Sequence, residues 1–194
     1  MTTPKRQTTL VIGLILFLIV LDQAVKLLIH RFLAVGESVQ VLPFFSLCHV
    51  ENDGMAFGIE WFDKIFLTLF RVLAVGLLGY YLHQLLHPKE NQPHVSTGFL
   101  LWIAAITAGA LGNIIDCVFY GKLFGYAEWG YGKVIDMLYF PLITNSEGEC
   151  LFFQPVFNIA DSCITIAVLA LLIGYRKELD QTLSKKADSQ TIVQ

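Results

Sequence analysis

Residues Thr8–Ile29 read TTLVIGLILFLIVLDQAVKLLI, and this stretch decides the fold of the chain. A helix that crosses a lipid bilayer needs about 20 mostly apolar residues, and the only charged residues here are Asp22 and Lys26. Three more stretches meet the same requirement, and they are roughly Ile65–Leu86, Thr97–Ile115 and Phe157–Tyr175. We therefore predict an all-α membrane protein with four transmembrane helices.

The composition of the whole chain agrees with this class. Of the 194 residues, 55% are hydrophobic and 15% are charged, and the mean hydropathy is +0.62. An ordinary soluble domain carries about 25% charged residues. Four helices and their connections occupy the chain, so we predict a single membrane domain, residues 1–194, and no separate soluble module. We expect membrane lipids around it and no nucleic-acid partner.

The N-terminus has one feature of a secretory signal peptide, because Lys5 and Arg6 precede the apolar run Leu10–Leu21. However, the helical pattern continues to Leu33, and no convincing small-residue cleavage site follows the run. We interpret this segment as a retained first span. At the other end of the chain, the polar segment 185–194 is predicted to be disordered.

The placement of lysine and arginine predicts the orientation in the membrane, because cytoplasmic flanks are enriched in these residues. One set of flanks carries Lys5, Arg6, Lys89, Arg176, Lys177, Lys185 and Lys186. The other set carries only Arg31, Lys64, Lys122 and Lys133, among many acidic residues. We therefore expect both termini in the cytoplasm, and the segments Arg31–Lys64 and Asp116–Val156 on the outside.

The outer segments are predicted to be structured. Val39–Leu42 and Phe44–Val50 are rich in β-branched and aromatic residues around Pro43, which favours a small extracytoplasmic β-sheet on the membrane surface. The second segment, predicted to be a loop with some helix, has a length that usually indicates a function. A disulfide can form in these segments between Cys48 and Cys150. No CxxC spacing occurs, so we expect no metal site and no cofactor.

Polar residues of different spans are predicted to lie at one depth, near the outer interface. These residues are Asp22 and Lys26 of span one, Asn113 and Asp116 of span three, Asn158 and Asp161 of span four, and Asp136 of the outer loop. Ionisable groups in spans are costly and mark function by default. Simpler interpretations also exist, since Asp22 and Lys26 can neutralise each other and the asparagines can link helices by hydrogen bonds.

Asp161 is harder to explain structurally, because its own span has no basic residue nearby. Two carboxylates at one site share a proton, so one can accept a proton from water while the other polarises a carbonyl group. From the residues alone, the helix-borne Asp116 is the natural partner of Asp161, although Asp116 and Asp136 can each be water-exposed interface residues. No HExxH or GxSxG motif competes with this interpretation.

Five motifs occur in order along nearly the whole chain. Asp22–Lys26 is a D-Q-x-x-K motif, Asn52–Phe57 is N-x-G-x-A-F, and Gly109–Asp116 is G-A-x-G-N-x-x-D. Val134–Asp136 is V-x-D, and Phe157–Asp161 is F-N-x-A-D. In this order the chain resembles the lipoprotein signal peptidases, which are the type II signal peptidases of bacteria.

The resemblance implies an aspartyl endopeptidase of the bacterial cytoplasmic (inner) membrane, with its active site near the outer face. It implies that Asp136 and Asp161 are the catalytic pair and that Asp116 is a supporting residue. Site-holding or substrate-binding roles fall to Asp22, Lys26, Asn52, Gly54, Asn113, Asn158 and Ala160. The implied substrate is a prolipoprotein that carries diacylglycerol on its lipobox cysteine, and cleavage occurs just before that cysteine.

The chain departs from the family pattern in its outer segments. The family usually has arginine after G-N-x-x-D, where this chain has Cys117. Lys122 and Arg71 are the candidates to replace that cation. The stretches Cys117–Lys133 and Ile143–Val156 are longer than the family pattern leads us to expect, and we expect them to reshape the outer rim of the site.

Three other functions were considered. A transporter or a proton relay needs polar residues across the full depth of the membrane, whereas here they are confined to one side. A non-enzymatic scaffold does not explain the cluster of carboxylates. A presenilin-like protease is expected to carry a G-x-G-D signature, which the sequence lacks.

Reporter fusions test the predicted topology. Fusions after Lys89 and at the C-terminus should report the cytoplasm, and fusions near Gly54 or Glu147 should report the outside, because of the lysine and arginine bias. The measurement is the activity of paired reporters that work on only one side of the membrane. An outside signal at Lys89 contradicts the four-span topology.

Overall fold

The computed structural model describes residues 3–53, 64–88, 94–144, 150–152 and 155–191. In this part of the chain, three helices are long and apolar enough to cross a membrane, and they are Pro4–Phe32 (α1), Lys64–Leu86 (α2) and Thr97–Leu123. The last of these begins with α3, Thr97–Ile115. A fourth crossing is reached if Ile159–Gly174 (α5) is taken together with the helix after it, to which it is bent by 88°.

Helix α3 is the centre of the bundle and packs against α1, α2 and α5. Its small residues allow this close packing. A side chain at Gly109 would collide with the carbonyl oxygen of Ala160 on α5. A Cβ atom at Gly112 would lie 2.7 Å from Oδ2 of Asp22 on α1. Glycine at these two positions therefore brings the polar residues of α1 and α5 together beside the C-terminal half of α3.

The N-terminal end of α3 lies in an apolar cluster that includes Val11, Phe99 and Leu171. Helix α6, Arg176–Thr191, crosses this end of the bundle. Glu178 of α6 accepts hydrogen bonds from the backbone nitrogen of Ser96 at 2.7 Å and from its Oγ at 3.0 Å. The helix α6 continues into the polar segment for which the sequence predicts disorder.

A four-stranded antiparallel sheet lies at the other end of the bundle. Its strands, in the order β1-β2-β3-β6, are Ser38–Leu42, Phe45–Asn52, Val134–Tyr139 and Val156–Phe157. A second small sheet pairs β4, Ile143–Thr144, with β5, Cys150–Phe152. The first two strands confirm that the sequence on both sides of Pro43 forms strands of a small antiparallel sheet. Cys48 is a buried free thiol, so the disulfide that the sequence allows at this residue is not formed.

Helix α3 has the predicted bounds, but the chain continues beyond it through a π-helical turn, Asp116–Tyr120, and a short helix α4, Gly121–Leu123. The following loop folds back onto this end. The backbone nitrogen of Gly132 donates to the carbonyl oxygen of Cys117 at 2.8 Å, and that of Gly130 donates to Val118 at 3.0 Å. These bonds tie the loop to the backbone of the π-helical turn.

Candidate active site

The side chain of Lys26 is the centre of the buried polar layer and is fully buried. Its Nζ lies 2.9 Å from Oδ2 of Asp22 and 2.6 Å from Oδ2 of Asp116, and it donates to Oδ1 of Asn113 at 2.9 Å. The predicted ion pair between Asp22 and Lys26 is therefore present, but Lys26 also serves a second carboxylate. The ammonium joins α1 to the C-terminal end of α3.

Asp22 extends the same connection to α5. Its Oδ1 accepts a hydrogen bond from the backbone nitrogen of Ala160 at 2.9 Å. That nitrogen belongs to the first turn of α5, where backbone N–H groups have no partner within the helix. Ala160 is itself buried and packs over Gly109 and Gly112, which explains why the chain has a small residue at this position.

Asn158 is the N-cap of α5, and the F-N-x-A-D motif forms a capping box. The side-chain oxygen of Asn158 accepts from the backbone nitrogen of Asp161 at 2.8 Å, and the Asp161 carboxylate accepts from the backbone nitrogen of Asn158 at 3.5 Å. The side-chain nitrogen of Asn158 donates to Oδ1 of Asp136 at 2.7 Å and to Oδ1 of Asn113 at 3.1 Å. One amide thus contacts both of the carboxylate residues that the resemblance implies.

Asp136 lies on β3 and is 2% exposed. Its two oxygens accept hydrogen bonds from Asn158 and from Nδ2 of Asn52, the latter at 3.1 Å. Burial raises the pKa of Asp136 to about 6, because it disfavours the charged form. The hydrogen bond from Asn52 opposes this rise in pKa, whereas the nearby charge of Asp161 adds to it.

Asp161 faces the same place from the start of α5, and its Oδ1 accepts from Nδ2 of Asn113 at 2.8 Å. Asn113 and Asn158 therefore connect Asp161 to Asp136. Asp116 is held by a different set of residues, since it contacts Lys26 and accepts from Nε2 of Gln23 at 2.8 Å. The structure brings Asp136 to Asp161, rather than the helix-borne Asp116 that the residues alone favour.

The departures from the family pattern have structural counterparts. Of the two candidate replacement cations, Arg71 is the one that reaches Cys117, with Nη1 2.9 Å from its Sγ. Lys122 instead pairs with Glu128 at 3.2 Å on the surface. Gly54, the remaining motif residue, lies outside the described residues.

Sequence reasoning did not single out two polar residues of this layer. Gln23 lies inside the D-Q-x-x-K motif, and its position between Asp22 and Lys26 could have identified it as a residue of the site. Tyr120 lies in the long segment after α3, and its hydroxyl donates to Oε1 of Gln23 at 2.9 Å. No sequence motif indicates Tyr120, because its direction depends on the π-helical turn.

Apolar helices, a small antiparallel sheet and buried carboxylates together define a membrane enzyme, and two solved bacterial membrane enzymes have this fold. One was determined by the in meso method at 2.3 Å resolution, has 28% sequence identity and a TM-score of 0.63, and the match covers 88% of this chain and 90% of that chain. The other was determined at 1.9 Å, with 26% identity, a TM-score of 0.64 and coverage of 86% and 92%.

The family model for signal peptidase (SPase) II matches residues 14–176. The lipoprotein signal peptidase of Porphyromonas gingivalis strain W83 is 39% identical over 204 residues, which cover 93% of this chain and 88% of the relative. That of Amoebophilus asiaticus is 34% identical, with coverage of 89% and 80%. That of Pelodictyon phaeoclathratiforme is 37% identical, with coverage of 85% and 89%. The chain belongs to the signal peptidase II family.

Substitution of Lys26 should be more damaging than substitution of either of its acidic partners. Lys26→Gln leaves two buried carboxylates without their cation, and breaking a buried ion pair costs about 3–5 kcal/mol. Asp22→Asn and Asp116→Asn each leave one ion pair intact and should cost less. Adding Asp22→Asn to Lys26→Gln should recover only part of the loss. Folded yield and thermal midpoint in detergent measure these effects.

The matched control for this series is Lys122→Gln. It removes the same charge from the exposed pair with Glu128, and exposed pairs contribute little to stability. If Lys26→Gln unfolds at the same temperature as Lys122→Gln, the ammonium does not hold the bundle together.

Proposed function

We propose that the chain is an aspartyl endopeptidase that removes the signal peptide from diacylglyceryl-modified prolipoproteins by cleaving just before the lipidated cysteine. Asp136 and Asp161 are the catalytic pair. The observation that carries this assignment is their joint contact with Asn158, together with the raised pKa of Asp136. The relatives named lipoprotein signal peptidase support the substrate class.

In the proposed reaction the pair holds one proton. The ionised carboxylate takes a proton from water, and the resulting hydroxide equivalent attacks the scissile carbonyl carbon. The protonated carboxyl donates its proton to the carbonyl oxygen. When the tetrahedral intermediate collapses, the carbon–nitrogen bond breaks and a proton passes to the departing nitrogen, which becomes the amino group of the lipidated cysteine. This is general acid–base catalysis by two groups of one site.

The surrounding amides suit this chemistry. Asn52, Asn113 and Asn158 donate hydrogen bonds to the two carboxylates. Such bonds fix the position of a carboxylate without adding a full positive charge beside it. The pKa of Asp136 can therefore stay high while the carboxyl group is held in place.

The proposed setting is the outer face of the bacterial inner membrane, with four spans and both termini in the cytoplasm. The polar layer lies toward the sheet end of the bundle, and the sheet exposes apolar side chains that include Val39, Val41, Leu42 and Phe44. An apolar face of this kind can rest on the membrane surface beside a lipid-bearing substrate. A signal peptide that enters as a helix then presents its scissile bond at the depth of Asp136 and Asp161.

Amide substitutions test the catalytic pair. Asp136→Asn and Asp161→Asn should each lower turnover by at least about 10²–10⁴-fold, because asparagine can neither accept nor supply the proton. Asp116→Asn should leave measurable turnover, because Asp22 still pairs with Lys26. The measurement is cleavage of a lipidated precursor by purified enzyme whose thermal midpoint has been checked.

Asp180→Asn is the control for this series, because Asp180 is exposed on α6. An unlipidated precursor controls for the substrate class and should be cleaved poorly. A rate like that of the wild type for Asp136→Asn would move the catalytic partner to Asp116. The same result for Asp161→Asn would end the aspartyl peptidase proposal.

The pH dependence of stability should reveal the buried carboxyl of Asp136. Its pKa is raised from 3.8 to about 6 in the folded protein, so its contribution is fully present below pH 3.8 and is lost as the pH rises through about 6. The total loss is on the order of 3 kcal/mol, at 1.36 kcal/mol per unit of pKa. Asp136→Asn should remove this part of the pH dependence.

Thermal midpoints of the wild type, Asp136→Asn and Asp180→Asn at pH 4, 6 and 8 measure this effect. The wild type and Asp180→Asn should lose stability relative to Asp136→Asn as the pH rises. Parallel curves for all three proteins would mean that Asp136 titrates as an ordinary carboxyl group.

A further inference from the structure

Tyr120 lies at the end of the π-helical turn, and its side chain is 2% exposed. Its hydroxyl donates to Oε1 of Gln23 at 2.9 Å, and Nε2 of Gln23 donates to Oδ1 of Asp116 at 2.8 Å. Asp116 forms an ion pair with Lys26, and an ionised carboxylate can only accept hydrogen bonds. The side-chain nitrogen of Gln23, which is a donor, must therefore face Asp116. The amide oxygen then faces Tyr120, and the tyrosine hydroxyl must act as the donor.

Asp116 connects these hydrogen bonds to β3, the strand that contains Asp136. Its Oδ2 accepts from the backbone nitrogen of Ile135 at 3.4 Å, and Ile135 directly precedes Asp136. The ring of Tyr120 packs in one apolar cluster with Ile135 and Met137, which flank Asp136 on both sides. Tyr120 therefore reaches β3 by two routes, one through hydrogen bonds and one through direct packing.

The direction of Tyr120 depends on the local backbone. A π-helical turn closes its hydrogen bonds over five residues instead of four and commonly occurs at functional sites. It turns the residues that follow it away from the path of a regular α-helix. The loop that caps this turn through Gly130 and Gly132 keeps Tyr120 directed at α1. The long outer segment thus has a definite effect inside the polar layer.

We propose that Tyr120 is a positioning residue for the catalytic pair. Its hydroxyl fixes the Gln23 amide, which holds Asp116 and through it the strand that carries Asp136. This inference rests on the proposed function. Without the hydroxyl, the side-chain oxygen of Gln23 loses its donor. The amide is then held only through its nitrogen, which also contacts Asp22 and the carbonyl oxygen of Gly112 at 3.2 Å, so it can shift away from Asp116. Small shifts of a reacting group have large effects on rate.

Tyr120→Phe removes the hydroxyl and keeps the ring that packs on β3. We expect kcat to fall on the order of tenfold while KM changes little, because the side chain of Tyr120 is buried and not exposed to a substrate. The matched control is Tyr81→Phe, which removes a tyrosine hydroxyl that donates to Thr182 at 2.8 Å at the other end of the bundle. This control can lower the thermal midpoint and should leave kcat unchanged.

A second variant separates positioning from folding. Gln23→Met has a similar shape and no hydrogen bonds, and it should lower kcat at least as much as Tyr120→Phe. The double variant should fall well short of the product of the two single losses, because both changes interrupt one chain of hydrogen bonds. If Tyr120→Phe alone gives little folded protein, the kcat of Gln23→Met by itself still tests this chain of hydrogen bonds, because the Tyr120 hydroxyl has lost its Gln23 partner in that variant while the ring of Tyr120 is kept.

The outcomes are distinguishable from those of the proposed function. If Asp136→Asn and Asp161→Asn are inactive and Tyr120→Phe keeps the wild-type kcat, the positioning role is overturned while the catalytic pair stands. Multiplicative losses in the double variant overturn it as well. If Asp161→Asn retains wild-type turnover, the proposed function fails first. A lower kcat for Tyr120→Phe, with an unchanged KM and an unaffected Tyr81→Phe, supports the proposal.

Discussion

The rest of the structure depends on one buried ammonium group, that of Lys26. It has been removed from water at a large cost in free energy, which only close and well-placed acceptors can offset. Asp22, Asp116 and Asn113 are those acceptors. Because they come from α1 and from the end of α3, the charge can be satisfied only when these helices pack together. Glycine at 109 and 112 makes that packing sterically possible.

The four carboxylates of the polar layer fall into two pairs with different partners. Asp22 and Asp116 share a lysine, and their task is to hold helices and the strand β3. Asp136 and Asp161 are held by asparagine side chains and by the capping box of α5. Hydrogen bonds from neutral amides leave burial as the largest influence on the pKa of Asp136. The same residue type thus has a structural role in one pair and suits acid–base chemistry in the other.

The long segment after α3 contacts the helices that carry the polar layer. It closes back on the helix end through backbone hydrogen bonds, so its length does not make it an open loop. It places Cys117 against Arg71 of α2 and Tyr120 against Gln23 of α1. This segment therefore joins two helices to the polar layer.

The sequence by itself determined the apolar helices, the strands around Pro43, the ion pair between Asp22 and Lys26 and the set of polar residues that meet. These features depend on hydropathy, on residue spacing and on motifs, and all of them are local. Only the tertiary structure decided that Lys26 serves two carboxylates and that Tyr120 reaches Gln23. It also brings Asp136 rather than Asp116 to Asp161, which the motifs implied by resemblance but residue spacing alone did not. Each of these contacts joins residues far apart in the chain. Their geometry depends on where a helix ends, on a π-helical turn and on strand register, which no local pattern specifies.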